Sequence, residues 1–265
     1  MRVEDYTRRG FLRDSVVAAA GASFGLSALA AAVPVTGVRA IAFDAFPIFD
    51  LRAITVTARQ LFPEKGEMLA SVWSTKLFES TWLETSAGRY VGFEALAARA
   101  LEFAAESAQV SLSGEALAKL VAVYSQLDVW PDVKAALEQL RASEIRLAML
   151  SDLSEPVLRA NLRHAGIEKH FEFVLSTDRV RKFKPAPEAY EMAMQAFRLP
   201  KETVGFAAFG GWDATGASWF GYRTVWVNRL HLPAETLDPK PALTSAGMEG
   251  VLELAGLGPA VMGVR

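Results

Sequence analysis

The stretch "RAIAFDAFPIFDLR", Arg39–Arg52, decides how the chain is read. Together with Val38, the residues Ala40, Ile41, Ala42 and Phe43 make a nearly continuous apolar run, as in a parallel-sheet strand covered on both faces. The run stops at one carboxylate, Asp44, and apolar sequence resumes through Phe46 and Pro47. In open α/β sheets the carboxyl ends of strands are where ligands bind, so a lone acid there is a candidate for chemistry.

Upstream, "TRRGFLRDSVVAAAGASFGLSALAAAVPV" orders a basic pair, Arg8 and Arg9, a mild apolar run from Val16 to Ala32, and small residues before Pro34. Thr7–Arg13 resembles a twin-arginine export signal at every position of that pattern, with Ala28–Ala30 as a cleavage site. The run is too short and too polar for a comfortable membrane span, so export to the periplasm and no stable membrane insertion after cleavage are expected. "GASFG", Gly21–Gly25, matches both a nucleophile elbow and a helix-packing motif, but it lacks the preceding strand an elbow requires.

Downstream, from Ile54 to about Leu127, the periodicity is helical, and Met68, Val72, Leu77, Phe78 and Trp82 are expected near one face of the first long helix. From Val133 on, helices and strands alternate: "IRLAMLSD", "FEFVLSTD", "TVGFAAFGG" and "RTVWVN" read as strands, each separated from the next by a helical segment. Such a succession predicts an α/β fold, a doubly wound parallel sheet covered by helices on both faces, with an all-helical insertion after its first strand.

The 265 residues suffice for one large domain or a domain plus a smaller one, and 28 basic against 30 acidic residues leave a net charge of −2. No nucleic-acid or polybasic membrane surface is implied, and the expected partner is a small molecule. The absence of cysteine removes disulfides and thiolate chemistry, and three scattered histidines lack metal-ligand spacing. No cofactor and no metal are expected.

The strands end in polar or special residues: Asp44, then Ser151 and Asp152, then Ser176 and Asp178 with Lys184 soon after, then Gly210–Asp213. One crevice should collect them. This set, with the Lys-Pro pair and the helical insertion, resembles the four motifs and the cap of the haloacid dehalogenase superfamily. "WSTKLFESTWLETSAGRYVGF", "LSTDRVRKFKPAPEAYEMA" and "GWDATGASWFGYRTVWVNR" are similar to the type II (S)-2-haloacid dehalogenases. The resemblance implies a Rossmann-like core over 33–53 and 128–265 and a cap over 54–127, after the export signal that the twin-arginine motif implies over residues 1–32.

A phosphatase of that superfamily needs an acid two residues after its nucleophile, and this chain has Phe46 there; the position of a metal-binding acid near Phe209 is apolar. Halide displacement instead needs a poorly solvated carboxylate with apolar walls, which Asp44 between Phe43 and Phe46, facing Trp212, would provide. The resemblance implies a 2-haloacid substrate, Asp44 as the nucleophile forming an ester, Lys184 keeping it ionised, Ser151 donating to the ester oxygen, and Asp213 helping to hold Lys184 and to position or deprotonate the water. Phe46, Ser74, Asp152, Tyr190, Gly210 and Trp212 would surround the substrate. Plainer readings stand beside these: Lys184 as a surface lysine, Ser151 or Asp213 as helix caps, Tyr190 and Trp212 as packing residues.

The resemblance also has departures. "DAFPIFD" is one residue shorter than the family's first motif and lacks its hydroxyl, Ser74 stands where the family has an arginine, Asp152 where it often has Asn, and Ala208 and Gly210 where it has Ser and Asn. Either another cation such as Lys76, Arg89 or Arg181 then replaces the missing one, or the substrate is a different one. Alternatives are a phosphatase or other hydrolase with a degenerate metal site, or a non-catalytic protein of the same fold. A homodimer through the cap is a further expectation of the resemblance.

Overall fold

A computed structural model describes residues 37–258 of the chain. The expected export segment lies outside those residues, and no helix among them is long and apolar enough to cross a membrane.

Six parallel strands form one sheet in the order β3-β2-β1-β4-β5-β6. These are β1 (Ala40–Phe43), β2 (Arg146–Ser151), β3 (Phe173–Ser176), β4 (Val204–Ala208), β5 (Arg223–Val227) and β6 (Leu243–Ser245). Alternation along β1 divides the core: Ile41 and Phe43 join one buried cluster with Leu147, Met149 and Val225, whereas Ala40 and Ala42 join another with Leu150, Tyr190 and Phe206. Both faces are therefore covered, which explains why the strands read as unbroken apolar runs. The helices α5 (Val133–Ala142), α6 (Glu155–His164) and α9 (Glu249–Leu254) pack on strands β2, β3 and β5, as do α7 (Pro187–Phe197) and α8 (Gly211–Phe220) on β2 to β5.

Between β1 and β2 the chain makes α1 (Arg52–Leu61), α2 (Gly66–Ser86), α3 (Phe93–Ser107) and α4 (Gly114–Ala122). It leaves and re-enters the sheet side by side. Phe49 bridges Val129 in antiparallel fashion, Asp50 N–H donates to the Asp128 carbonyl at 2.8 Å, and Trp130 N–H donates to that of Ile48 at 3.1 Å.

The buried side of α2 is not the one expected from its bulkiest residues. Leu69, Ala70, Trp73, Leu77 and Thr81 are buried, while Met68 is 47% and Trp82 38% exposed. Trp73 fixes the rotation by donating from Nε1 to the Ala97 carbonyl of α3 at 2.8 Å. Gly66 allows α2 to start hard against α1, since a Cβ there would lie 2.3 Å from the Ala58 carbonyl oxygen.

Candidate active site

Asp44 follows β1 directly, and its backbone N–H continues the ladder to the Ala207 carbonyl at 3.0 Å. The chain then folds into a tight turn in which Ile48 and Phe49 both donate to the Ala45 carbonyl. Pro47 fits there without losing a needed donor, because the Phe46 N–H serves the acid and donates to Asp44 Oδ2 at 3.3 Å. The turn is pinned from outside by Trp130 Nε1, 3.0 Å from the Phe46 carbonyl, and by Arg229 Nη2, 2.9 Å from that of Pro47.

Lys184 is 1% exposed, not a surface lysine. Its Nζ lies 2.8 Å from Asp44 Oδ1 and 2.7 Å from Asp213 Oδ2. Burial works to discharge the ammonium, but the carboxylates of Asp213, Asp44 and Asp152 outweigh it and raise its pKa. Asp213 sits in the first turn of α8, whose flanking residue is Gly210, so it is not the cap of that helix. Its other oxygen, Oδ1, accepts from the Tyr190 hydroxyl at 2.7 Å. Burial pushes its carboxyl up to about 6, while Lys184 and Tyr190 pull it down. At neutral pH, above that value, the carboxylate is ionised, with a donor at short range on each oxygen.

A cavity of about 280 Å³ opens over this triple. Asp44, Phe46, Ser74, Ser151, Asp152, Lys184, Gly210 and Trp212 line it. Asp213 and Tyr190 do not: they stand behind Lys184, with Tyr190 wholly buried. Ser151 ends β2 three residues before the flanking Ser154 of α6, so it caps no helix, and its Oγ accepts from Leu153 N–H at 3.3 Å. Gly210 makes room for its neighbour, since a Cβ would come within 2.7 Å of Trp212 Nε1. The Trp212 ring in turn packs against Phe78 and Trp82 of α2, with centroids 5.4 and 5.5 Å away.

None of the cations expected to replace the missing arginine lines the cavity. Lys76 pairs with Glu79 and stands over the Phe103 ring, Arg89 pairs with Glu84 at 3.5 Å, and Arg181 lies over the Tyr90 ring. Among the described residues, Lys184 is the one cation on the wall. Two groups were not anticipated. The segment after β5 covers the cavity with Leu230, Leu232, Pro233 and Glu235, and Arg229 pairs with Asp132 at 2.8 Å while holding the turn after Asp44.

The chain matches the family described as haloacid dehalogenase-like hydrolase over residues 38–221. It belongs to that family. Haloacetate dehalogenase H-2 of Moraxella sp. (strain B) is 31% identical over 218 residues, 82% of this chain and 97% of the relative. The (S)-2-haloacid dehalogenase of Pseudomonas sp. (strain YL) is 32% identical over 82% of this chain and 94% of its own length. Among solved structures, the L-2-haloacid dehalogenase RSc1362 superposes with a TM-score of 0.81 at 36% identity, covering 83% of this chain and all of the other. The L-2-haloacid dehalogenase of Xanthobacter autotrophicus with chloropropionic acid covalently bound gives 0.74 at 25% identity, over 86% and 100%. The haloacid dehalogenase-like fold places the paired carboxylates, the lysine and the cavity at the carboxyl edge of the sheet, beside the strand where the order reverses.

Proposed function

We propose that the protein is a hydrolase acting on carbon–halogen bonds of short 2-halogenated carboxylic acids, by way of an ester on Asp44 and without a metal. The observation that carries this reading is the placement of Asp44 on an apolar cavity wall, with one oxygen held 2.8 Å from a buried ammonium. The likeness to haloacetate and (S)-2-haloacid dehalogenases over most of their length supports the same reading.

In the first step an oxygen of Asp44 attacks C2 of the substrate, the carbon–halogen bond breaks, and halide departs with the bonding pair. The configuration at C2 inverts. In the second step water attacks the ester carbonyl of Asp44; its oxygen stays on Asp44, one of its protons goes to the leaving alkoxide to give the 2-hydroxy acid, and the other is released to solvent as the carboxylate is restored. Lys184 orients Asp44 and keeps it charged in a dry pocket, and Ser151 is positioned at the wall to donate to the ester oxygen. Asp213 and Tyr190 act from behind by holding Lys184, which is the one of Asp213's two implied roles that its placement supports. Phe46, Phe78, Phe209 and Trp212 exclude water.

The alternative, a magnesium-dependent phosphatase, finds less support. The ammonium of Lys184 already occupies the point between Asp44 and Asp213, and Phe46 cannot protonate a leaving alcohol. Single turnover of 2-chloropropionate in ¹⁸O-water should place label in the Asp44 carboxylate, with EDTA-resistant chloride release that Asp44→Asn abolishes. Release without label in Asp44, or phosphoester turnover dependent on Mg²⁺, would overturn the proposal.

The helices α1 to α4, residues 54–127 in the main, form the cap in this reading, and 33–53 with 128–265 the core. Residues 1–32 form a twin-arginine signal that delivers the folded enzyme to the periplasm, a reading supported by the Thr7–Arg13 motif. Replacing Arg8 and Arg9 together with Lys should leave the protein in the cytoplasmic fraction, and unchanged fractionation would count against export. Exposed Val56, Met68, Leu83 and Phe103 on the cap support a homodimer through those helices, which light scattering of the mature protein would reveal.

A further inference from the structure

Four charged side chains line the cavity, and three of them are acids: Asp44, Asp152 and Glu235. The one cation, Lys184, stands 2.8 Å from Asp44 and 2.7 Å from Asp213, so a single ammonium already faces two carboxylates. An anionic group entering this space adds a charge of the sign already in excess.

Glu235 is the acid that no cation answers. It lies in the irregular segment between β5 and β6, where Lys240 donates to its backbone carbonyl at 2.6 Å and stands 3.8 Å from the Asp238 carboxylate. Arg229, at the start of that segment, is engaged by Asp132 and the Pro47 carbonyl. The Glu235 side chain instead reaches the first turn of α8, with Oε1 3.3 Å from the place a Cβ on Gly211 would take. The N–H end of that helix favours an anion, and a carboxylate of the chain's own stands there. Ser74 and Ser151 bring neutral hydroxyls to the wall, which can donate to an amide oxygen as well as to a carboxylate. A primary amide also answers the acids with N–H donors, whereas a carboxylate has acceptors only.

We propose that the site also dehalogenates uncharged 2-halo amides, and that Glu235 sets a preference for them over the corresponding acids. The inference rests on the dehalogenase reading and widens its substrate class from 2-haloacids to their neutral amides. The bonds made and broken are the same. An Asp44 oxygen bonds to C2 and halide leaves with the bonding pair. Water then attacks the ester carbonyl, leaves its oxygen on Asp44, gives one proton to the departing alkoxide and releases the other to solvent. The product is a 2-hydroxy amide whose C–N bond is untouched. Attack on the amide is also electrostatically easier, because the anionic nucleophile approaches a carbon with no negative charge beside it.

The test compares chloride release from 2-chloropropionamide and 2-chloropropionate at low ionic strength. The amide's kcat/KM should equal or exceed that of the acid, and a smaller value overturns the proposal. Glu235→Gln should raise kcat/KM for the acid relative to the amide by about two- to fivefold, the effect of one exposed charge, and Glu235→Lys should raise it further. Added salt should shrink both effects. A ratio that neither substitution moves overturns the assignment to Glu235. Chloride from the acid alone leaves the dehalogenase reading intact and removes this inference. Chloride from neither substrate removes that reading, and titration calorimetry with 2-hydroxypropionamide and 2-hydroxypropionate then decides the charge preference. Tighter binding of the hydroxy amide supports it; tighter or equal binding of the hydroxy acid, or binding of neither, overturns it.

Discussion

Tyr190 shows how a residue off the cavity wall can govern the chemistry at it. Its hydroxyl donates to Asp213 Oδ1 at 2.7 Å, and its ring packs edge-on against Phe206, over which the Lys184 ammonium also sits. Removing the hydroxyl leaves one oxygen of a buried carboxylate without its donor, at a cost of about 1–3 kcal/mol. Tyr190→Phe should therefore lower both stability and kcat, with KM nearly unchanged, because Tyr190 touches Lys184's partner and not the substrate. Urea denaturation and steady-state kinetics would show it, and a change confined to KM would contradict the arrangement. The residues of this site were legible in the sequence wherever a strand ended in a polar group, as at Asp44, Ser151 and Asp213. Arg229 and Glu235 were not, because they reach the site from an irregular segment with no period to betray which way it runs.

Secondary elements were legible where apolar runs met Gly, Asp or Pro. The first five strands are of this kind. Strand β6 is not: three residues at the sheet edge, none of them fully buried, give no pattern to read. In α2 the expected face followed the bulky residues Met68, Val72, Leu77, Phe78 and Trp82, but of these only Leu77 is fully buried, and the packed face alternates the small Gly66, Ala70 and Thr81 with Leu69, Trp73 and Leu77. Small residues mark close approach of backbones, which hydrophobicity alone does not report. The same physics operates at the start of α8, where Gly210 lies under the Trp212 indole. Gly210→Ala should displace that ring from Phe78 and Trp82 and lower kcat/KM by at least about tenfold, equivalent to about 1.4 kcal/mol of transition-state stabilisation. The thermal midpoint should move little, and an unchanged kcat/KM would show that the ring does not shape the site.

At the scale of the whole molecule, the buried acids couple folding to pH. Asp152 and Asp213 bind their protons more tightly in the folded chain than in the unfolded one, with carboxyls pushed up to about 7 and about 6. Their contribution is complete below the ordinary carboxylate range and is lost as pH rises through those values. The opposite sign holds for Asp50, Asp132, Glu155 and Glu172, which arginines or backbone donors hold low, so their contribution is lost on acidification. These lie nearer the surface and are screened, so the interior pair should dominate. Stability in urea should fall between about pH 4 and pH 7, by an amount on the order of a few kcal/mol, and Asp152→Asn should remove much of that slope. A midpoint that rises over the same interval would refute the assignment.

The paired crossing at Phe49 and Val129 has a consequence beyond holding the helices in place. Because both ends of the insertion meet in one hydrogen-bonded ribbon, the pairing of β1 with β2 does not depend on the length or helix count of what hangs from it, while the cap's other contacts with the core, such as Phe78 and Trp82 on Trp212, shape the cavity. A lineage can therefore lengthen, shorten or exchange the helical block as a cassette while every strand keeps its neighbours.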